Sequence, residues 1–241
     1  MLRRSAALLS LCSIILLGDS AFAQQNLFNV PNGEITKPGH FFTQQQFNLT
    51  RSALQSNSTL DYGLGDGWEA GLNLFFLNFS NASPTEILTN VSEDLLPAEP
   101  LLMANFQKGW QPAAQVRLSA GAQGGTNPGS GSNLVPAALG YATLALVEPV
   151  KGLNLHGGIY AGTATYNGSG SGFLMGGFEF AVVKEKLHLL MDFVHGNHAN
   201  AVIVTGLAVY VTDRLVFSAG WQKPFPGSRT EEGVVMELTA L

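Results

Sequence analysis

Charge is scarce in this chain of 241 residues: Asp, Glu, Lys and Arg make up only 12%, against roughly 25% in an ordinary soluble domain. A surface facing only water would be hard to cover with so little charge. Lys and Arg total 12, the net charge is −5, and no basic cluster occurs, which argues against a nucleic-acid partner. The one cysteine, Cys12, falls in an N-terminal leader, so the mature chain has none. An exported protein without disulfides fits a bacterial envelope better than a eukaryotic secretory route. Beyond the leader, no long apolar run exists. The longest uncharged apolar stretch, 134–147, is broken by Pro136 and Gly140, whereas a spanning helix needs about 20 apolar residues. Disorder is excluded by a hydrophobic content of 46%. If the mature chain crosses a membrane, a closed barrel is the remaining way to satisfy every backbone group in lipid.

The leader has the parts of a signal peptide: basic Arg3 and Arg4, an apolar run from Ala6 to Leu17, and a cleavage site at Ala21-Phe22-Ala23. We expect residues 1–23 to be removed. Taking Arg3, Arg4 and Asp19 from the 12 basic and 17 acidic residues leaves 10 and 16, a net charge of −6.

Several segments alternate with a period of two, which suits a strand and not a helix. Trp68, Ala70, Leu72, Leu74 and Phe76 alternate with Glu69, Gly71 and Asn73. Ala114, Val116, Leu118, Ala120 and Ala122 alternate with Gln115, Arg117, Ser119, Gly121 and Gln123, and similar pairs of faces occur over 215–222 and 234–240. Two stretches, 139–147 and 201–211, are apolar on both faces. Turn residues divide the chain into twelve expected strands: 41–51, 58–64, 68–79, 100–108, 113–122, 134–147, 153–165, 173–183, 187–195, 201–211, 215–222 and 232–241. Every second connection is short; the others (52–57, 80–99, 123–133, 166–172, 196–200 and 223–231) are mostly longer and polar. The expectation is therefore an all-β fold, a closed antiparallel transmembrane β-barrel of about 12 strands. Short periplasmic turns would alternate with longer extracellular loops. Residues 24–40 would form a periplasmic lead and 41–241 the barrel. Phe41, Phe42, Trp68, Trp110 and Phe217 fall at the periplasmic strand ends, and Phe79, Phe173, Phe193 and Trp221 at the opposite ends. These are expected as aromatic belts at headgroup depth.

The hairpin Leu60-Asp-Tyr-Gly-Leu-Gly-Asp-Gly-Trp-Glu-Ala-Gly-Leu-Asn-Leu74, with Val211-Thr-Asp-Arg-Leu215 in the same style, resembles the repeated hairpins of porins linked to phenol-degradation pathways. More broadly, signal, strand pattern and one-sided loops resemble Gram-negative outer-membrane channel proteins. The resemblance implies a porin- or transporter-like barrel in the bacterial outer membrane. Its partners would be outer-membrane lipids, lipopolysaccharide, the barrel-assembly machinery and small solutes. Such barrels usually end in Phe or Trp, whereas this chain ends Leu238-Thr-Ala-Leu241.

Charged and polar residues at mid-strand belong in the lumen, because a central Lys or Arg on the lipid face costs about 2–4 kcal/mol and Asp or Glu somewhat less. The expected lumen set is Asp61, Glu69, Asn73, Gln115, Arg117, His156, Glu179, His188, Asp192 and Glu237. Twelve strands give a backbone diameter of about 24 Å from 4.8 Å spacing and a tilt of about 40°. Glycines at 63, 71, 121, 158, 162, 177 and 220 share the inward parity and would leave that lumen partly unfilled. His195-Gly-Asn-His198, with His156 and Asp192, has metal-ligating residue types, but i,i+3 spacing on a loop fixes no zinc geometry. A membrane-embedded hydrolase would need Ser, His and an orienting group together; Ser119 and Ser218 lie on strands distant from His156 and His188, and no G-x-S-x-G occurs. No cofactor and no catalysis are expected. The favoured reading is passive or selective diffusion of small solutes, with a structural or adhesive barrel and then a hydrolase as alternatives.

Overall fold

The computed structural model describes residues 25–83, 86–90, 97–128 and 134–240; the expected signal peptide lies outside them. The strands are β1 (Phe41–Thr50), β2 (Ala53–Gly65), β3 (Trp68–Ser80), β4 (Ile87–Leu88), β5 (Leu101–Ala113), β6 (Val116–Thr126), β7 (Pro136–Val150), β8 (Leu153–Gly162), β9 (Leu174–Val183), β10 (Leu187–Val194), β11 (Val202–Thr212), β12 (Leu215–Pro224) and β13 (Gly233–Ala240). One short helix, α1 (Ala164–Asn167), follows β8. Among the described residues no helix is long and apolar enough to cross a membrane.

Each strand pairs antiparallel with its neighbour along the chain, except that β3 pairs with both β5 and the short β4. The ring closes where β1 meets β13, with Thr43 opposite Ala240 and Thr50 opposite Gly233. Twelve strands form the barrel, and β4 sits outside it on the edge of β3. Closure gives each of the twelve barrel strands a partner on both sides.

The alternation that predicts the strands also decides which face looks out. Leu72 is 54% exposed and its neighbour Asn73 1%; Phe217 is 42% exposed and Ser218 1%. Large apolar side chains cover the outside, and amides, hydroxyls and carboxylates fill the inside. That is the reverse of a water-soluble barrel. Trp68 stacks on Phe106 at 4.6 Å, and Phe41 lies 4.9 Å from Tyr62, all near one rim.

Three expectations are corrected by local geometry. Phe42, expected in an aromatic belt, points inward and is fully buried. Phe76, expected on the lipid face with Leu72 and Leu74, is also buried. The cause is a bulge: the β2–β3 register shifts between Ser56 and Ser58, Phe76 adopts φ 57°, and its N–H donates to Asn57 Oδ1 at 2.8 Å. One extra residue exchanges the two faces from there on. The third is the loop expected at 52–57, which shrinks to a turn at Arg51 and Ser52, with β2 starting at Ala53. Gln55 and Asn57 are polar because they face the lumen, and Ser56, on the opposite parity, accepts from Gln45 Nε2 at 2.9 Å; none of the three forms a loop.

The stretch 24–40, expected as a lead, does not hang from the barrel: Gln25 to Thr36 fold inside it, and Lys37, Pro38 and Gly39 emerge exposed before β1. Leu27, Phe28 and Val30 are almost fully buried and cluster with Leu190, Val202, Val204, Ala208, Val216 and Val235 from β10 to β13. This explains why β11 reads as apolar on both faces. One face lies on the exposed outside of the barrel and the other meets this plug. Burying three large apolar side chains contributes roughly 1.5–3 kcal/mol each.

Candidate functional site

The plug is shaped first by its own backbone. Leu27 N–H donates to Val30 O at 3.0 Å, and Asn26 bridges Pro31. That tight turn aligns three successive N–H groups on one point. Phe28, Asn29 and Val30 donate to Asp192 Oδ2 at 3.0, 2.5 and 3.0 Å, and Asn29 Nδ2 reaches Oδ1 at 3.4 Å. A run of converging backbone N–H groups is an anion nest, and here β10 supplies the anion. Further along, Glu69 Oε2 accepts from Thr36 N–H at 2.7 Å and Gln25 Nε2 at 3.3 Å. Glu34 pairs with Arg117 on β6, and its carbonyl accepts from Gln107 Nε2 at 3.3 Å.

Inward glycines make room for this segment. A Cβ at Gly177 would lie 2.6 Å from Leu27 Cδ1, and one at Gly220 would lie 2.9 Å from Phe28 Cζ. The space that the glycine pattern leaves in the lumen is thus partly filled from within the chain.

Above the plug remains a cavity of about 420 Å³. Phe28, Asn29 and Pro31 form its floor, and it reaches the loop end at Thr50, Ser52 and Glu231. Gln44, Gln46 and Asn48 of β1, Gln55 and Asn57 of β2, and Asn73 and Asn78 of β3 line one side. Tyr141, Tyr160, Met175 and Val194 line another. Among the described residues charges are few: Asp61, Glu69, Glu99 and Glu231 against Arg229.

The ten expected lumen residues separate into groups. Asp61, Glu69 and Asn73 line the cavity, and Asp61 accepts a hydrogen bond from Asn105 Nδ2 at 2.7 Å. Arg117 and Asp192 hold the plug. Glu179 and His188 line a separate recess near the short turns, where Glu179 accepts from His188 Nδ1 at 2.5 Å, Asn154 Nδ2 at 3.1 Å and the Tyr210 hydroxyl at 3.2 Å. His156 and Glu237 are buried on inward-facing positions of β8 and β13. Gln115 is not in the lumen: it is exposed in the turn between β5 and β6, where its carbonyl accepts from Val147 N–H at 2.9 Å.

Two of the residues singled out for metal or hydrolytic chemistry, His198 and Ser119, have other partners. His198 Nδ1 accepts from Asn200 N–H at 3.1 Å, and its Nε2 lies 2.5 Å from the Tyr160 hydroxyl, which donates to His195 O. Among the described residues no group of three His, Cys, Asp or Glu is placed to hold a metal ion. Ser119 Oγ bonds the Thr143 hydroxyl at 2.6 Å, not a histidine. The plug escaped the sequence reading altogether. Its signal was the apolar Leu27-Phe28 and Val30 beside strands with apolar inner faces.

No protein-family model matches the chain, and no curated protein matches it. Solved structures do. The NanC porin superposes with a TM-score of 0.53 at 11% identity, covering 83% of this chain and 98% of that one. The KdgM porin superposes with a TM-score of 0.50 at 7% identity, over the same shares. The fold is a porin-type barrel. At such low identity nothing about solutes carries over. The pairing around the ring, the inverted polarity and the internal cavity belong to this porin-type barrel in its own right.

Proposed function

We propose that the protein is an outer-membrane channel for small solutes, exported through its signal peptide and inserted among outer-membrane lipids and lipopolysaccharide by the barrel-assembly machinery. It needs no cofactor and does no catalysis. The observation that carries this reading is the inverted barrel itself: an apolar exterior encloses a polar cavity that reaches one rim. The short turns face the periplasm and the cavity opens outward.

Four acids against one arginine around the cavity favour cations and neutral solutes over anions, because low-dielectric walls focus the field of a lining charge. Glu179 and Asp192 do not set this preference, since one lies in the separate recess and the other is covered by the plug. Planar-bilayer recording is the test. Discrete openings are expected, with a weak cation preference that fades in about 1 M salt as the screening length falls to about 3 Å. Asp61→Asn combined with Glu231→Gln should reduce the preference. A silent barrel would favour the second reading, a structural or adhesive barrel permanently closed by its plug, which the Asp192, Glu69 and Arg117 contacts support.

A further inference from the structure

The cavity carries more information than its size. Side chains on β1, β2 and β3 form successive cross-strand rows up one wall. Gln44 stands opposite Thr59, which stands opposite Asn73; Gln46 stands opposite Asn57; Asn48 opposite Gln55, which stands opposite Asn78. Rows on one face of a strand repeat every two residues, or about 7 Å. The wall is therefore a ladder of carboxamides, with no charge on its rungs.

Several of these amides are buried without being used. Asn73 is 1% exposed, and neither its Nδ2 nor its Oδ1 has a hydrogen-bond partner among the described residues. The Nε2 groups of Gln44 and Gln46, on the adjoining rungs, are likewise unpartnered, as is Asn48 Oδ1. A buried polar group left unsatisfied costs about 1–3 kcal/mol, so a row of them marks a place where something else makes the bonds. Both donors and acceptors are idle. A carboxylate or phosphate offers mainly acceptors, and would meet Asp61 and Glu69 in the same cavity. An ammonium offers only donors and would leave the three free NH2 groups unserved. A hydroxyl both donates and accepts.

The opposite wall completes the description. Tyr160 on β8, Met175 on β9 and Val194 on β10 line it, and β9 lies six strands from β2 around the ring of twelve. One side thus offers amides, and the facing side offers aromatic and apolar surface. A sugar ring has that same division, hydroxyls at its edge and C–H groups on its faces.

We propose that this cavity is a binding site for an uncharged polyhydroxylated solute of the sugar class. The carboxamide ladder holds its hydroxyls, centred on Asn73 with Gln44 and Gln46, and the Tyr160–Met175–Val194 wall holds its carbon face. The proposal rests on the channel reading for its purpose, since the bound sugar would be the solute selected on entry.

The test is calorimetric titration of the full mature chain in detergent with three probes of similar size: D-glucose, D-glucuronate and cyclohexanol. Saturable glucose binding is expected, with glucuronate and cyclohexanol at least about tenfold weaker. Asn73→Leu and, separately, Gln46→Leu each delete an unpartnered amide without adding charge. Each should weaken glucose about tenfold while the barrel keeps its heat-modifiable gel mobility. Glucose binding that is absent, no tighter than glucuronate, or unchanged in both variants overturns the site. Conductance measured on the same preparation separates the two claims: a conducting protein that ignores glucose overturns the site and leaves the channel, and a silent protein that binds glucose keeps the site and overturns the channel.

Discussion

His198 is fully buried in the loop between β10 and β11 and acts there as a neutral ring. Its Nδ1 already accepts the Asn200 N–H, and its Nε2 faces the Tyr160 hydroxyl. A proton on Nδ1 would set two donors against each other. Burial, reinforced by the nearby His195, pushes the imidazole down from the ordinary 6.5 to about 4. A histidine whose folded value is depressed binds more protons when unfolded. Its contribution to the loop's stability is therefore fully present above about 6.5 and is lost as the pH falls towards 4. Limited proteolysis of the 195–201 loop should accelerate across that acid window. His198→Gln, which has no proton to gain, should flatten the dependence. A wild-type loop equally resistant at pH 7 and pH 4.5 would show that His198 does not hold it.

At the scale of elements, the plug and its groove were written into the sequence in two separate places. The groove was legible as inward parity: Gly177 and Gly220 fall on the lumen side of their strands, as the alternation predicts. The plug was not, because a short run such as Leu27-Phe28-Asn29-Val30 has neither period nor length enough to declare an element. What holds it is tertiary: Asp192 is 164 residues from Phe28. The bulge at Phe76 was hidden for the same reason, since its only marker is the Asn57 side chain across the pair. By contrast, ten of the twelve expected strands lay close to their observed bounds, the exceptions being the start of β2 and the end of β5, because a barrel wall with unlike inner and outer faces imposes period two. Asp192 gives a direct test of plug movement, because three plug N–H groups converge on its carboxylate. Asp192→Ala deletes that anchor without adding charge. If solutes pass by displacing the plug, the variant should conduct more than the wild type. Equal conductance would mean that solutes pass beside a stationary plug.

For the whole molecule, inverted polarity sets what each face tolerates. Leu72→Arg places a guanidinium on the outer wall at mid-strand, at a cost of about 2–4 kcal/mol in lipid. Gln55→Arg places the same group in the wet cavity, where it can remain hydrated. Folding into lipid vesicles, followed by gel mobility with and without boiling, should show Leu72→Arg failing to assemble and Gln55→Arg assembling. Equal tolerance at both positions would mean that the outer wall does not face lipid.

The plug precedes β1 in the chain, yet its anchors lie on β3, β6 and β10. Its apolar tip also rests against β11, β12 and β13. No partly built sheet contains all of these partners at once. Docking of residues 25–36 is therefore complete only when β10 to β13 are in place. The same contacts that narrow the lumen thus report on the history of the ring. A barrel with a strand missing or out of register would leave the Asp192 cradle, the glycine groove or the valine bed displaced, and its N-terminal segment would stay outside, open to proteases. A protease that cuts residues 25–36 in an incomplete ring would find them sealed in a finished one.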